Sequence, residues 1–340
     1  MALKKKNTEN SELQQQPEAS VENQPESNPV DTNVDVENAA VIPDAQCGGE
    51  DKMQVGLQRK PLTFTDLLRD DKVRRRFAEV LDKYANSFMS NLSVVVSKSN
   101  GLRNCEPLSI VSAAVIAASM NLSIDPNLGY AAIVPYKKKN PTGTHSHTAQ
   151  LQLMWKAYVQ LAERTGQYAK LIVTEVYKDE FVSYNPFTEE LSLTDKSQWK
   201  MRYEPEGKGE IVGYYAYFKL TAGFEKNMYM SAMEIERHAK KYSKSYRLGE
   251  GNWVTDFKDM GKKTVLKLLL GKYGMLSIDQ QSAINIAKAI KYDQASFSGI
   301  EEDAEFEYLD NDKGNVNSEA NNDRISKTLS LIKPQGENDF

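Results

Sequence analysis

Cysteine, histidine and long apolar runs are scarce in this sequence. Its 340 residues include two cysteines, Cys47 and Cys105, and three histidines. Two cysteines cannot build a disulfide framework, so the chain is expected to fold without staples in a reducing compartment. Neither cysteine belongs to a C-x-x-C pair, and His145 and His147 read as a polar hairpin segment rather than a zinc site. No run of about 18 uncharged apolar residues occurs, which predicts no membrane-spanning helix. Lys4, Lys5 and Lys6 have no apolar stretch behind them, so no secretory signal is expected.

The motifs of nucleotide-driven and hydrolytic enzymes are missing too. Gly261-Lys262-Lys263-Thr264 resembles the end of a phosphate-binding loop, but Asp256 stands where the upstream glycine belongs and Lys263 where Ser or Thr belongs. No G-x-G-x-x-G and no G-x-S-x-G is present. Asp256-Phe257-Lys258 has a nuclease-like D-x-K spacing, but it lies in a helical pattern and reads as an ordinary solvated face. No catalytic site, metal or cofactor is therefore expected.

What is present is an uneven distribution of charge. The net charge of −4 conceals acidic ends and a basic middle. Residues 1–58 carry −7, residues 293–340 carry −8, and residues 59–292 carry +11. A basic core invites a polyanion, and acidic tails either compete for the same surface or only aid solubility. Both ends are rich in Gln, Asn, Glu and Ser and are expected to be disordered, apart from a short helix or docking peptide within Ile325–Ile332.

Patterning places the folded part at 59–292. Leu62–Leu81 reads as a helix or helix pair capped by Thr65 and Asp66, followed by a helix over Tyr84–Val96. Pro107 starts a charge-free helix to Leu122, which must be buried on most sides. Tyr130–Tyr136 and Ala149–Met154 predict a hairpin joined by a basic loop, and Trp155–Arg164 a helix. Strands follow at Ala169–Tyr177, Phe181–Tyr184, Leu191–Leu193, Ile211–Leu220 and Met228–Met230. Ser231 and Glu234 form a capping box before a basic helix; Asn252 caps a long helix to about Tyr273, and Ser277 opens another to Ile290. The expected class is α+β: an antiparallel sheet of about five strands with a long hairpin, packed by helices.

Four basic groups lie on this frame. They are Lys137, Lys138 and Lys139 in the hairpin loop; Lys156 beside Trp155 and Tyr158; Arg237 to Arg247 around the capped helix, His238 included; and Lys258, Lys262, Lys263 and Lys267 on the long helix. Lys258/Lys262 and Lys263/Lys267 are i,i+4 pairs with no acidic residue between them on the face, a repulsion that a phosphate backbone would relieve. Gln150 and Gln152 project opposite Leu151 and Leu153 and suit contacts to backbone or bases without sequence demand. Sixteen tyrosines in the core provide a few candidate stacking platforms for unpaired bases. These features point to nucleic acid without separating single from double strands.

Several blocks together carry a resemblance. Asn104-Cys105-Glu106-Pro107-Leu108-Ser109, Leu122 to Tyr136, Gln150 to Tyr158, Leu161 to Gln167 and Trp253 to Leu266 resemble, in order and spacing, the RecT family of phage single-strand annealing proteins. The resemblance covers roughly 60–292. It implies ATP-independent binding of single-stranded DNA, annealing to a duplex, assembly into rings or filaments, and an α+β fold with DNA in a positively charged groove. It also implies a cytoplasmic protein of a bacterial host, a phage exonuclease as partner, and a host single-strand-binding protein as a further candidate. Matching blocks carry over Lys156, Lys262 and Lys263 as DNA-binding residues, with Arg103 just before the first block. A non-annealing module binding RNA or DNA is the alternative.

Overall fold

The computed structural model describes residues 62–139, 142–195, 209–275, 281–301 and 304–311. The Ser277 capping box and the Ile325–Ile332 segment lie outside these residues.

The helix pair at the start is capped two residues earlier than expected, by Thr63. Its hydroxyl accepts the Asp66 N–H while the Asp66 carboxylate accepts the Thr63 N–H, opening α1 (Phe64–Arg69). Asp70 ends α1 and caps α2 (Asp71–Leu81), which turns Val73 and Phe77 inward. A 3-10 turn (Asp82–Tyr84) leads to α3 (Ala85–Lys98) and α4 (Asn100–Arg103). In α5 (Pro107–Ser119) every residue from Ser109 to Ala118 is buried, as a charge-free helix requires.

β1 (Ala131–Lys139) pairs with β2 (His145–Leu153) in an antiparallel ladder from Ala131↔Leu153 to Lys139↔His145. The three lysines expected in a loop are thus strand residues: Lys137 and Lys138 face His147 and Ser146, which extend the ladder beyond its apolar part. Next come α6 (Trp155–Arg164), β3 (Tyr168–Tyr177), β4 (Phe181–Asn185), β5 (Glu190–Leu193), β6 (Ile211–Leu220) and β7 (Glu225–Ser231). The capping box of Ser231 and Glu234 opens α7 (Ala232–Tyr242). Then follow α8 (Lys244–Arg247), α9 (Asn252–Thr255), α10 (Phe257–Tyr273) and α11 (Gln281–Tyr292). The long helix expected from Trp253 is broken at Asp256, whose φ of −133° and ψ of 45° lie outside the helical region. Ordered structure continues past residue 292 in β8 (Ala295–Phe297), which is wholly buried, and β9 (Phe306–Tyr308).

Instead of one sheet of about five strands, the described strands form four antiparallel sheets: β1-β2, β3-β6-β7, β4-β5 and β8-β9. The outer edge of β2 is already occupied. Glu106 N–H donates to His147 O, Ser109 Oγ accepts the Ala149 N–H, Gln294 N–H donates to Leu151 O, and Asp293 accepts the Leu153 N–H. With these groups satisfied, the β2 edge has no free ladder to offer a further strand.

α10 packs against β3, β6 and β7 and also against α6 and α11. It is consequently buried around most of its circumference, Lys263 and Lys267 included, while Lys258 and Lys272 stay exposed. Gly261 permits the close approach to β6: a Cβ there would lie 2.5 Å from Tyr214 Cζ, and Tyr214 is itself fully buried. Gly261→Val is expected to cost about 2 kcal/mol or more in chemical denaturation through overpacking. An unchanged midpoint would show that the ring moves freely.

Candidate nucleic-acid interface

A cleft of about 840 Å³ lies between the β1-β2 hairpin and the α8–α9 segment. The hairpin contributes Lys137, Lys138, His145 and His147, and the facing wall contributes Lys244, Ser245, Asn252 and Trp253. Two glycines shape that facing wall. Gly249 and Gly251 adopt φ of 77° and 80°, and a Cβ on Gly251 would meet Ser245 Oγ at 2.9 Å. Gln150 and Gln152 also line the cleft, although both are buried. Gln152 Nε2 lies 3.9 Å from Met260 Sδ, whereas Gln150 Oε1 is buried with no hydrogen-bond partner. A buried carbonyl oxygen without a donor is costly, and at a ligand site it is an acceptor held ready.

The sequence-predicted residues therefore divide. Lys137, Lys138, Gln150 and Gln152 come together in the cleft. Lys139 shares the strand through its backbone pairing with His145. Arg103 is exposed and donates to Asn100 Oδ1. Lys156 is exposed on α6, with Nζ near the Gly129 turn.

The α10 lysines have acidic partners from distant segments, contrary to the expectation of unrelieved pairs. Lys258 and Lys262 each lie 3.2 Å from Glu175 Oε1 of β3, and Lys262 also reaches Asp259 at 2.8 Å and sits 4.6 Å above the Trp155 ring. Burial pushes the Glu175 carboxyl up, but its own backbone N–H and the Lys262 and Lys258 ammonium groups outweigh this and hold it below its ordinary value. Lys263 and Lys267 are 3% and 8% exposed and share Asp293, at 2.8 and 3.0 Å. Burial opposes the charge on Asp293, yet the two ammonium groups and the Leu153 N–H bring its carboxyl down to about 2. Lys263 is lowered, first by burial and then against the pull of Asp293 by the nearby Lys267. One carboxylate facing two ammonium groups leaves this buried triad with a net positive charge.

His238 does not join the basic set. It packs against Tyr242 and Trp253, at 4.7 and 6.3 Å between ring centroids, and burial followed by repulsion from Lys267 and Lys241 lowers it to about 4. Tyr158 and Tyr214 are core residues rather than stacking platforms. Among the described residues no group of three or more His, Cys, Asp or Glu comes together, and no helix is long and apolar enough to cross a membrane. Sequence reasoning missed Ser245, Asn252 and Trp253 as cleft residues. The available signal was the Gly249-Glu250-Gly251 turn, which reads locally as a linker.

Fold and cleft define an α+β protein in which helices pack an antiparallel hairpin and sheet, and in which exposed cations gather on facing walls. Within that class the chain belongs to the RecT family, whose sequence pattern matches residues 86–308. The match extends to Tyr308, the last residue of β9. The chain is 38% identical over 230 residues to the uncharacterized protein YqaK of Bacillus subtilis (strain 168), covering 68% of this chain and 74% of that protein. It is 29% identical over 194 residues to Protein RecT of Escherichia coli (strain K12), covering 56% of this chain and 66% of that protein.

Proposed function

We propose that this protein binds single-stranded DNA in the cleft and anneals complementary strands without nucleotide hydrolysis. The observation that carries this reading is the union, in one cleft, of Lys137 and Lys138 on one wall, Lys244 on the other, and an unpartnered Gln150 carbonyl between them. Ammonium groups on both walls suit a phosphate backbone, and neutral amides suit bases in any order. Lys156 and Arg103 extend the positive surface, and the buried Lys263–Lys267–Asp293 triad adds field behind it, whereas Lys262 is neutralised by Glu175 and Asp259. Pairing and stacking of the product duplex supply the free energy; the protein supplies alignment and charge neutralisation. Assembly into a ring or filament, a phage exonuclease that exposes single strands, and contact with a host single-strand-binding protein belong to the same proposal and rest on the family.

The test mixes two complementary labelled oligonucleotides without ATP. Faster pairing with protein, lost at high salt, is the expected result. Binding without acceleration would favour a non-annealing module. Gln150→Leu separates the role of the amide from its place in the fold. Removing an unsatisfied buried acceptor is expected to leave stability unchanged or raise it by about 1 kcal/mol, while oligonucleotide affinity falls several-fold. Full affinity in the leucine variant would remove Gln150 from the interface.

A further inference from the structure

The segment at β9 closes one end of the cleft. Glu307 forms an ion pair with Lys138, both side chains being partly exposed. Three residues on, the buried Asp310 makes contacts in two directions. Its Oδ1 accepts the Tyr136 hydroxyl at 2.9 Å and the Ser245 N–H at 2.7 Å, its Oδ2 accepts the Ser243 hydroxyl at 2.6 Å, and its carbonyl accepts the Lys244 N–H at 2.9 Å. Tyr136 belongs to β1, and Ser243–Ser245 begin α8, so a single carboxylate ties the two cleft walls together. The segment is anchored upstream, where Phe306 packs on Tyr292 and Phe297, and from within, where the Tyr308 hydroxyl donates to Lys291 O.

We propose that residues 307–310 form an acidic strap that competes with nucleic acid for the cleft, an inference that rests on reading the cleft as the strand-binding surface. The Glu307 carboxylate occupies Lys138 as a phosphate oxygen would, because both are anionic acceptors that satisfy an ammonium group. The half-exposed pair exchanges readily. Asp310 holds the walls together until a strand has entered. Without a strand, the strap keeps the cleft cations neutralised; with one, phosphates replace Glu307 and the Asp310 bridge is released.

The test titrates a fluorescent oligothymidine with full-length protein at one fixed salt concentration, comparing wild type with Glu307→Gln, Asp310→Asn, Lys138→Ala and the Lys138→Ala/Glu307→Gln double variant. Glu307→Gln is expected to bind about threefold more tightly, the scale of a partly exposed ion pair. Asp310→Asn is expected to gain about tenfold, since a charge-assisted network is lost from the closed form. In the Lys138→Ala background the Glu307 substitution is expected to change nothing, because its partner is gone. Equal affinities of wild type and Glu307→Gln, or an equal gain with and without Lys138, would overturn the strap. If Asp310→Asn fails to fold, the Lys138–Glu307 cycle decides alone. Wild-type protein that bound no oligothymidine would overturn the reading of the cleft, and the strap with it.

Discussion

Asp293→Ala is expected to lose about 3–5 kcal/mol of stability, because Lys263 and Lys267 would be left buried without a counterion. The substitution also removes the acceptor of the Leu153 N–H at the end of β2. Urea denaturation measures the effect, and a loss below about 1 kcal/mol would show that the ammonium groups find other partners or water. The same group predicts a pH dependence. Its carboxyl lies at about 2 in the folded chain against an ordinary value of 3.8, so the folded state is favoured while the group is ionised. That contribution, on the order of 2 kcal/mol, is present above about pH 4 and is lost as pH falls through about 2. Asp293→Asn should lack this acid limb. Replacing all three residues with apolar ones of similar size is expected to be far milder than removing the aspartate alone.

Lys137→Ala/Lys138→Ala/Lys244→Ala is expected to weaken oligonucleotide binding by roughly a hundredfold at about 0.1 M salt. Each phosphate contact to a single strand contributes a salt slope of about 0.7, hence about fivefold at that salt, and three contacts multiply. The slope of log affinity against log salt should fall by about 2. The fold should survive, because Lys137 and Lys244 are exposed and Lys138 is partly so. An unchanged slope would move the phosphate path elsewhere, with Lys156 and Arg103 the next residues to replace. A weakened affinity with unchanged slope would mean that the lysines act on cleft shape rather than on phosphates.

Local chemistry made much of the fold readable in the sequence. The Ser231–Glu234 box, the proline start of α5 and the β-branched and aromatic run of β6 each act within a few residues, and each element stands where its pattern placed it. The break at Asp256 was not readable, since the helical pattern continues across it. Nor was the fate of the α10 lysines. An i,i+4 lysine pair looks the same whether solvent or a carboxylate faces it, and Asp293 lies 30 residues from Lys263 in the chain. The charge partition drew its boundary at residue 292 and so counted the core's own counterion with the acidic tail. Asp310 and Glu307 were counted there as well, although they contact the hairpin. Composition sums charge along the chain, whereas pairing sums it in space.

The closure of β2 by residues 293–296 also sets a limit on when the molecule can mature during its synthesis. Leu153 waits for Asp293, and Ala149 and Thr148 wait for Ser296, partners more than 130 residues later. While the ribosome is still making the second half of the protein, the hairpin carries an unfinished edge. A nascent chain stalled before Asp293 is therefore expected to be protease-sensitive and a chaperone client. Extending it until residues 293–311 have cleared the exit tunnel should convert it to a resistant form in a single step.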